Sequence, residues 1–140
     1  MILGIGVDIV KVGRFKFWLE YSREQLLRVF SPREIENIFS DPRELASQRM
    51  ASRFAAKEAF YKALSVAMIK LDKTEKTIAF LSACKAITIV PGKWDIPTVE
   101  VEWKFFENAL GVEIPEFDIN LSISHEKEYA VAYVIIQTKN

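Results

Sequence analysis

Residues 53–64 read RFAAKEAFYKAL, and they sit inside a longer run, Pro42 to about Ala67, that holds no glycine and no further proline. Alanine recurs throughout it, so the composition predicts one long helix of roughly 39 Å. On a wheel at about 100° per residue, apolar side chains surround almost the whole circumference. Such a helix has no broad polar stripe to keep in water. Yet Glu58 falls between Phe54 and Ala51 on that wheel, and Lys62 lies only about 40° from it. Arg53 and Lys57 form a second i, i+4 pair, about a quarter to a third of the circumference away. A buried carboxylate costs several kcal/mol unless a cation or hydrogen bonds compensate it, so a partner for Glu58 is implied.

The chain on either side supplies strands for this helix to cover. Residues 2–10, Ile-Leu-Gly-Ile-Gly-Val-Asp-Ile-Val, are aliphatic and β-branched, and they read as a strand buried on much of both faces. Asp8 is the anomaly in it. Ser31-Pro32-Arg33-Glu34 and Asp41-Pro42-Arg43-Glu44 repeat one helix-start arrangement: a capping oxygen, a proline at the first helical position and a glutamate at the third. Between Val10 and Ser31 the spacing of Phe15, Trp18, Leu19, Leu26, Leu27 and Phe30 suggests short amphipathic helices broken near Ser22. Further on, CKAITIVPGKWDIPTVEVEW reads as two strands joined by a turn around Pro91-Gly92-Lys93, and residues 104–111 as a short helix ending at Gly111. FDINLSISHEKEYAVAYVII gives strand, polar turn and strand, with His125 where the first strand runs out. The expected architecture is α+β, an antiparallel sheet packed on a long central helix, with 1–140 as a single domain.

Composition removes several classes of function. Nineteen basic residues balance nineteen acidic ones, so no global field argues for nucleic acid or an anionic membrane. No window is apolar for about 18 residues, and the amino terminus lacks the basic opening of a signal peptide, which places the chain in the cytoplasm. The single cysteine, Cys84, excludes an internal disulfide and a multi-cysteine zinc site and reads as a small apolar filler.

For the charged residues of the long helix two readings stand open. The bland one is a surface Glu58–Lys62 ion pair, worth about 0.3–0.5 kcal/mol. Asp8 has its own bland reading, as a polar residue at a strand end. Against these, two acids in otherwise apolar elements with several cations and no competing metal ligands suit a hard divalent cation. Magnesium typically accepts one or two protein carboxylates and fills its other positions with water and substrate phosphate. Lys62 would give a point charge to the same phosphate. Gly4-Ile5-Gly6 is no dinucleotide fingerprint, because the third glycine is missing and no helix opens directly after the strand. His125 has no nucleophile elbow to serve, so a serine triad is unpromising. A lone histidine in a turn reads as a structural hydrogen-bonder that could also donate to a phosphate.

Together GIGVDIV near the start, RFAAKEAFYKAL at mid-chain and LSISHEKEYAVAYVI near the end resemble, in this order and spacing, the holo-[acyl-carrier-protein] synthase family, small 4'-phosphopantetheinyl transferases. The resemblance implies that coenzyme A gives its 4'-phosphopantetheine arm to a serine of apo acyl carrier protein, in fatty acid biosynthesis. It implies that Asp8 and Glu58 hold Mg2+, which bridges to the coenzyme A pyrophosphate. Glu58 and Lys62 would be the catalytic residues, with Glu58 one candidate for the serine's proton. Arg53 and His125 would bind the adenosine end with its 3'-phosphate, Lys57 lying nearby. It also implies a homotrimer with active sites between subunits, Asp8 and Glu58 of one chain facing His125 of another. Acyl carrier proteins are acidic, and Lys11, Arg14, Lys16, Arg23, Arg28 and Arg33 outnumber the acids of the first helical region. Arg14 is the favoured docking residue among them.

Two positions depart from the family pattern. A glycine-rich turn usually follows the lysine, whereas here Lys62 is followed by ALSVAMIKLD and no glycine occurs before Gly92. Either the helix continues and crowds the pyrophosphate, or a turn forms from Ser65 without glycine. Glu126 follows the histidine, where an acid would repel a 3'-phosphate unless it points away. These departures leave a second function open, a noncatalytic trimeric module that docks carrier proteins without transferring the arm.

Overall fold

The structure, a computed structural model, describes residues 1–139. Strand β1 (Ile2–Lys11) leads through two turns of 3-10 helix into α1 (Arg23–Leu26), α2 (Pro32–Ile38) and the long α3 (Ala46–Leu71). Then follow α4 (Phe80–Cys84), β2 (Ile87–Pro91), β3 (Pro97–Val101), α5 (Trp103–Leu110), β4 (Phe117–His125) and β5 (Tyr129–Thr138). The expected α+β architecture is present, with every strand pair antiparallel. The strands divide into a three-stranded sheet in the order β1-β5-β4 and a separate β2–β3 hairpin.

Capping chemistry explains one helix start and fails at the other. Ser31 and Glu34 form a reciprocal capping box that opens α2, and Ser22 with Gln25 does the same for α1. At the second proline, however, the chain stays extended (ψ 131°), makes one 3-10 turn, and becomes α-helical only at Ala46. Arg49 gives the reason: its guanidinium donates to the carbonyls of Ile38, Ser40, Asp41 and Pro42 and gathers that loop around itself. The 26 residues of α3 are therefore shifted toward the C-terminus from the predicted run. They end where Asp72 turns left-handed at φ 50°.

α3 is buried on most of its circumference, among Met50, Phe54, Ala55, Ala59, Phe60, Ala63 and Leu64. The sheet lies against it so closely that a Cβ on Gly4 would sit 1.9 Å from the Ala63 carbonyl oxygen, and one on Gly6 would sit 1.9 Å from that of Ala59. These glycines thus serve strand-on-helix contact. Gly6→Ala is expected to cost at least about 2 kcal/mol in urea unfolding, because the obstructing atoms are backbone and cannot rotate away. A stability equal to the parent would show that the strand can lift off the helix freely.

The strand differs from expectation on its other side. Ile5, Val7 and Ile9 are 47%, 51% and 63% exposed, beside the half-open rings of Tyr129 and Tyr133. Register places Ile5 opposite Ile135 and Val7 opposite Tyr133, so one apolar face of the sheet is left open by the described residues. Among the described residues no helix is long and apolar enough to cross a membrane.

Candidate active site

β1 and α3 run in opposite directions, and two strand residues advance nearly as far as four helical ones, about 6.6 Å against 6 Å. Gly4 at Ala63 and Gly6 at Ala59 follow that match, and Asp8 is the next residue on the same face of the strand. Side chains of a helix lean toward its N-terminus, so Glu58 and Lys62 reach back to where Asp8 arrives. The Lys62 ammonium donates to the Val7 carbonyl at 3.1 Å and to Asp8 Oδ1 at 3.3 Å. The Asp8 side chain is only 11% exposed, and its Oδ2 is buried without a hydrogen-bond partner.

Burial first, and the neighbouring charge of Asp8 next, push the Glu58 carboxyl above the usual carboxylate range, while Lys62 pulls it back. Two acids therefore share one half-exposed lysine. The orphaned Oδ2 and the adjoining carboxylate form a donor set that fits a hard divalent cation. No cluster of three or more His, Cys, Asp or Glu suited to a metal occurs among the described residues. A pair of carboxylates is what magnesium ordinarily takes from a protein when phosphate and water complete its shell.

Arg14 borders this group. Its guanidinium lies 4.8 Å from the centre of the Phe54 ring, one helical turn before Glu58, and draws the Glu58 ionisation downward. Beside it Lys11, Lys16 and Lys127 share a concavity of about 440 Å³ with Arg14. Arg33, counted above with the basic excess, is instead paired with Glu100 at 2.8 Å.

Arg53 and His125 share a different cavity, of about 390 Å³, with Arg49, Ser52 and Gln48. The Arg53 guanidinium is braced by the Arg49 carbonyl and Asn37 Oδ1, and its Nε is buried without a partner. Around α3, Arg53 stands about 140° from Glu58, so the body of the helix separates the two groups within one chain. Glu126 does not line the cavity, and its backbone oxygen accepts from Gln48 Nε2 at 3.0 Å. Arg49 was missed by sequence reasoning, because its partners are backbone carbonyls, which no residue pattern announces.

Lys57 belongs to neither group, contrary to its expected place near the adenosine end. It is completely buried, with its ammonium 2.5 Å from Glu34 Oε1, 2.6 Å from the Val29 carbonyl and 3.2 Å from that of Cys84. Glu34 is enclosed too, and its Oε2 accepts from the Ile89 amide. The pair ties α2, α3, α4 and β2 together, which leaves Lys57 no donor for a ligand. Burial pushes the neighbouring Cys84 thiol up to about 12, so it is no nucleophile near neutral pH. After Lys62 the helix continues, and Ser65 Oγ donates back to the Tyr61 carbonyl at 2.8 Å instead of opening a turn.

A family model described as the 4'-phosphopantetheinyl transferase superfamily matches residues 4–134. A holo-[acyl-carrier-protein] synthase of Treponema denticola is 37% identical over 139 residues, spanning 98% of this chain and 99% of its own. One from Borrelia turicatae is 36% identical over 138 residues, with 98% and 99% of the two chains covered. Among solved structures, an ACPS–CoA complex of Chronobacterium ammoniagenes superposes with a TM-score of 0.74 at 27% identity, covering 98% of each chain.

Proposed function

Since this chain belongs to the holo-[acyl-carrier-protein] synthase family of 4'-phosphopantetheinyl transferases, we propose that it moves the 4'-phosphopantetheine arm of coenzyme A onto a serine of apo acyl carrier protein. The observation that carries this reading is the meeting of Asp8, Glu58 and Lys62, with one carboxylate oxygen buried and unpartnered. The serine oxygen bonds to the phosphorus of the arm, the bond to adenosine 3',5'-bisphosphate breaks, and the serine proton is released. Such a transfer needs positioning and charge stabilisation more than covalent help.

Asp8 and Glu58 would hold Mg2+, which when bound neutralises charge on the diphosphate and orients it. Lys62, already aimed along the strand toward Asp8, places its ammonium on the same phosphate. Arg53 and His125 receive the 3'-phosphate of the adenosine end in their own cavity. Because α3 separates them from Glu58, a complete site takes Asp8 and Glu58 from one subunit and His125 from another. The uncovered face of Ile5, Val7 and Ile9 is suited to burial between subunits, and a homotrimer closes the arrangement. Arg14, beside Glu58 and the lysines of its concavity, docks the acidic carrier protein near the metal pair. We assign the enzyme to the cytoplasm and to fatty acid biosynthesis.

The direct test is to incubate the protein with coenzyme A, Mg2+ and apo acyl carrier protein and to weigh the carrier by mass spectrometry. A gain of the phosphopantetheine mass is expected. No gain, while a competent transferase modifies the same carrier, would leave a docking module in place of an enzyme. His125→Ala is expected to raise KM for coenzyme A about tenfold with kcat changed little, the pattern of lost uniform binding. An unchanged KM would remove His125 from the nucleotide site.

A further inference from the structure

The cavity shared by Arg53 and His125 holds a cation that the proposed function leaves without a role. Arg49 stands about one helical turn before Arg53 and lines the same space, on the face of α3 that also carries Gln48 and Ser52. Among the described residues Asp95 is the only acid on the walls, and neither Arg49 nor Arg53 has a carboxylate within ion-pair reach. The facing wall of Ile89, Val90, Pro91 and Pro97 offers no cation, so any reading of negative charge falls to α3.

The two guanidiniums oppose each other. Burial draws the Arg53 ionisation down most, the Glu34 charge raises it, and the Arg49 charge lowers it again. Glu34 is no counterion for the cavity, because its carboxylate is bonded to Lys57 in the core. Positive charge is thus crowded here, and an anion of two charges relieves it.

Arg49 is also prepared to receive that anion. Its Nη1 engages the carbonyls of Ile38, Ser40 and Pro42, and its Nη2 engages that of Asp41. These carbonyls hold the side chain in place without cancelling its charge, so it has little freedom left to lose when a ligand arrives. Among the described residues Nε and the second proton of Nη2 have no partner. Those two donors make one edge of the planar fork, the shape that grips two oxygens of a phosphate.

We propose that Arg49 is a specificity-determining residue: held by the 38–42 loop, it takes the 3'-phosphate together with Arg53 and sets how strongly the protein prefers coenzyme A over 3'-dephospho-coenzyme A. The inference rests on the placement of the 3'-phosphate in this cavity given above, and adds the residue that reads its charge. A ligand with a hydroxyl in place of the phosphate leaves the two cations facing each other unrelieved.

Calorimetry with coenzyme A and 3'-dephospho-coenzyme A, which differ only in that phosphate, tests the proposal without turnover. The parent is expected to prefer coenzyme A by at least about a hundredfold, since each charge-assisted contact contributes roughly tenfold or more. Arg49→Gln, whose amide can still donate to a loop carbonyl, should cut that preference about tenfold, with the dephospho ligand bound within about threefold of the parent's affinity. Arg49→Lys, which keeps the charge, should recover part of the preference. A residue that only shapes the loop would weaken both ligands alike. An unchanged preference in Arg49→Gln, or no recovery in Arg49→Lys, therefore overturns the inference while the transfer activity stands. Equal binding of the two ligands by the parent overturns it as well. Should Arg49→Gln not fold, a crystal of the parent with adenosine 3',5'-bisphosphate decides: a 3'-phosphate within about 4 Å of the Arg49 guanidinium supports the assignment, and one that touches Arg53 or His125 alone removes it. Failure of coenzyme A itself to bind would overturn the proposed function along with this inference.

Discussion

Glu58→Gln and Asp8→Asn are each expected to lower the rate of arm transfer by at least about 10³-fold, with the melting temperature at or above that of the parent. The loss follows from what the pair does for the diphosphate, since removing one element of a preorganised electrostatic site commonly costs 10²–10³-fold, and here the cation is weakened as well (~10³). The unchanged or raised melting temperature follows from the geometry. Asp8 keeps a buried oxygen without a partner, and burial and Asp8 together push the Glu58 carboxyl up. Without a cation these acids repel each other, with Lys62 and, more weakly, Arg14 as the compensating charges beside Glu58. Neutralising one of them relieves that repulsion in the folded state, so activity and stability should move in opposite directions. The measurement is a Mg2+ titration of transfer rate beside a thermal melt. Rates near the parent's in both variants would reject the metal assignment. A large fall in melting temperature would instead make the acids structural.

Much of this site was legible because the charged residues interrupt apolar patterns. Asp8 in an aliphatic strand and Glu58 on a helix without a polar stripe each imply a compensating partner, and one neighbourhood holds both. The pattern could not say how the strand meets the helix. Gly4 and Gly6 looked like a failed dinucleotide signature, and only their approach to the Ala63 and Ala59 carbonyls shows why side chains are absent there. The turn chemistry of Ser31 was readable from four residues, because a capping box is local. The same motif at Asp41 was overruled by Arg49, a side chain beyond the motif. β1 read as buried on much of both faces because, Asp8 apart, no polar residue alternates with its aliphatic ones. The chain covers one of those faces and leaves Ile5, Val7 and Ile9 open.

Lys57 is the residue that the family resemblance put near the adenosine end and the structure puts against Glu34, Val29 and Cys84, and replacing it should have the largest effect on stability. Lys57→Met is expected to destabilise the protein by about 3–5 kcal/mol in urea unfolding, because it strands the Glu34 carboxylate in the core. Glu34 was recognised as the third residue of a capping box, but its carboxylate has further duties. Oε1 accepts from the Ser31 amide and faces the Lys57 ammonium, while Oε2 accepts from the Ile89 amide. Losing the lysine therefore disturbs α2 and β2 together. The double variant Lys57→Met with Glu34→Gln separates charge from shape: the amide oxygen can still accept one backbone hydrogen bond, and no net charge remains buried. It should recover more than half of the loss, giving a coupling well beyond the ~0.5 kcal/mol within which independent sites add. Strictly additive costs, or a Lys57→Met protein as stable as the parent, would mean that the pair is not the enclosed tie described above. In the folded fraction of Lys57→Met, KM for coenzyme A should stay close to the parent's, because the ammonium points toward Val29, Cys84 and Glu34 and not toward the cavity of Arg53 and His125.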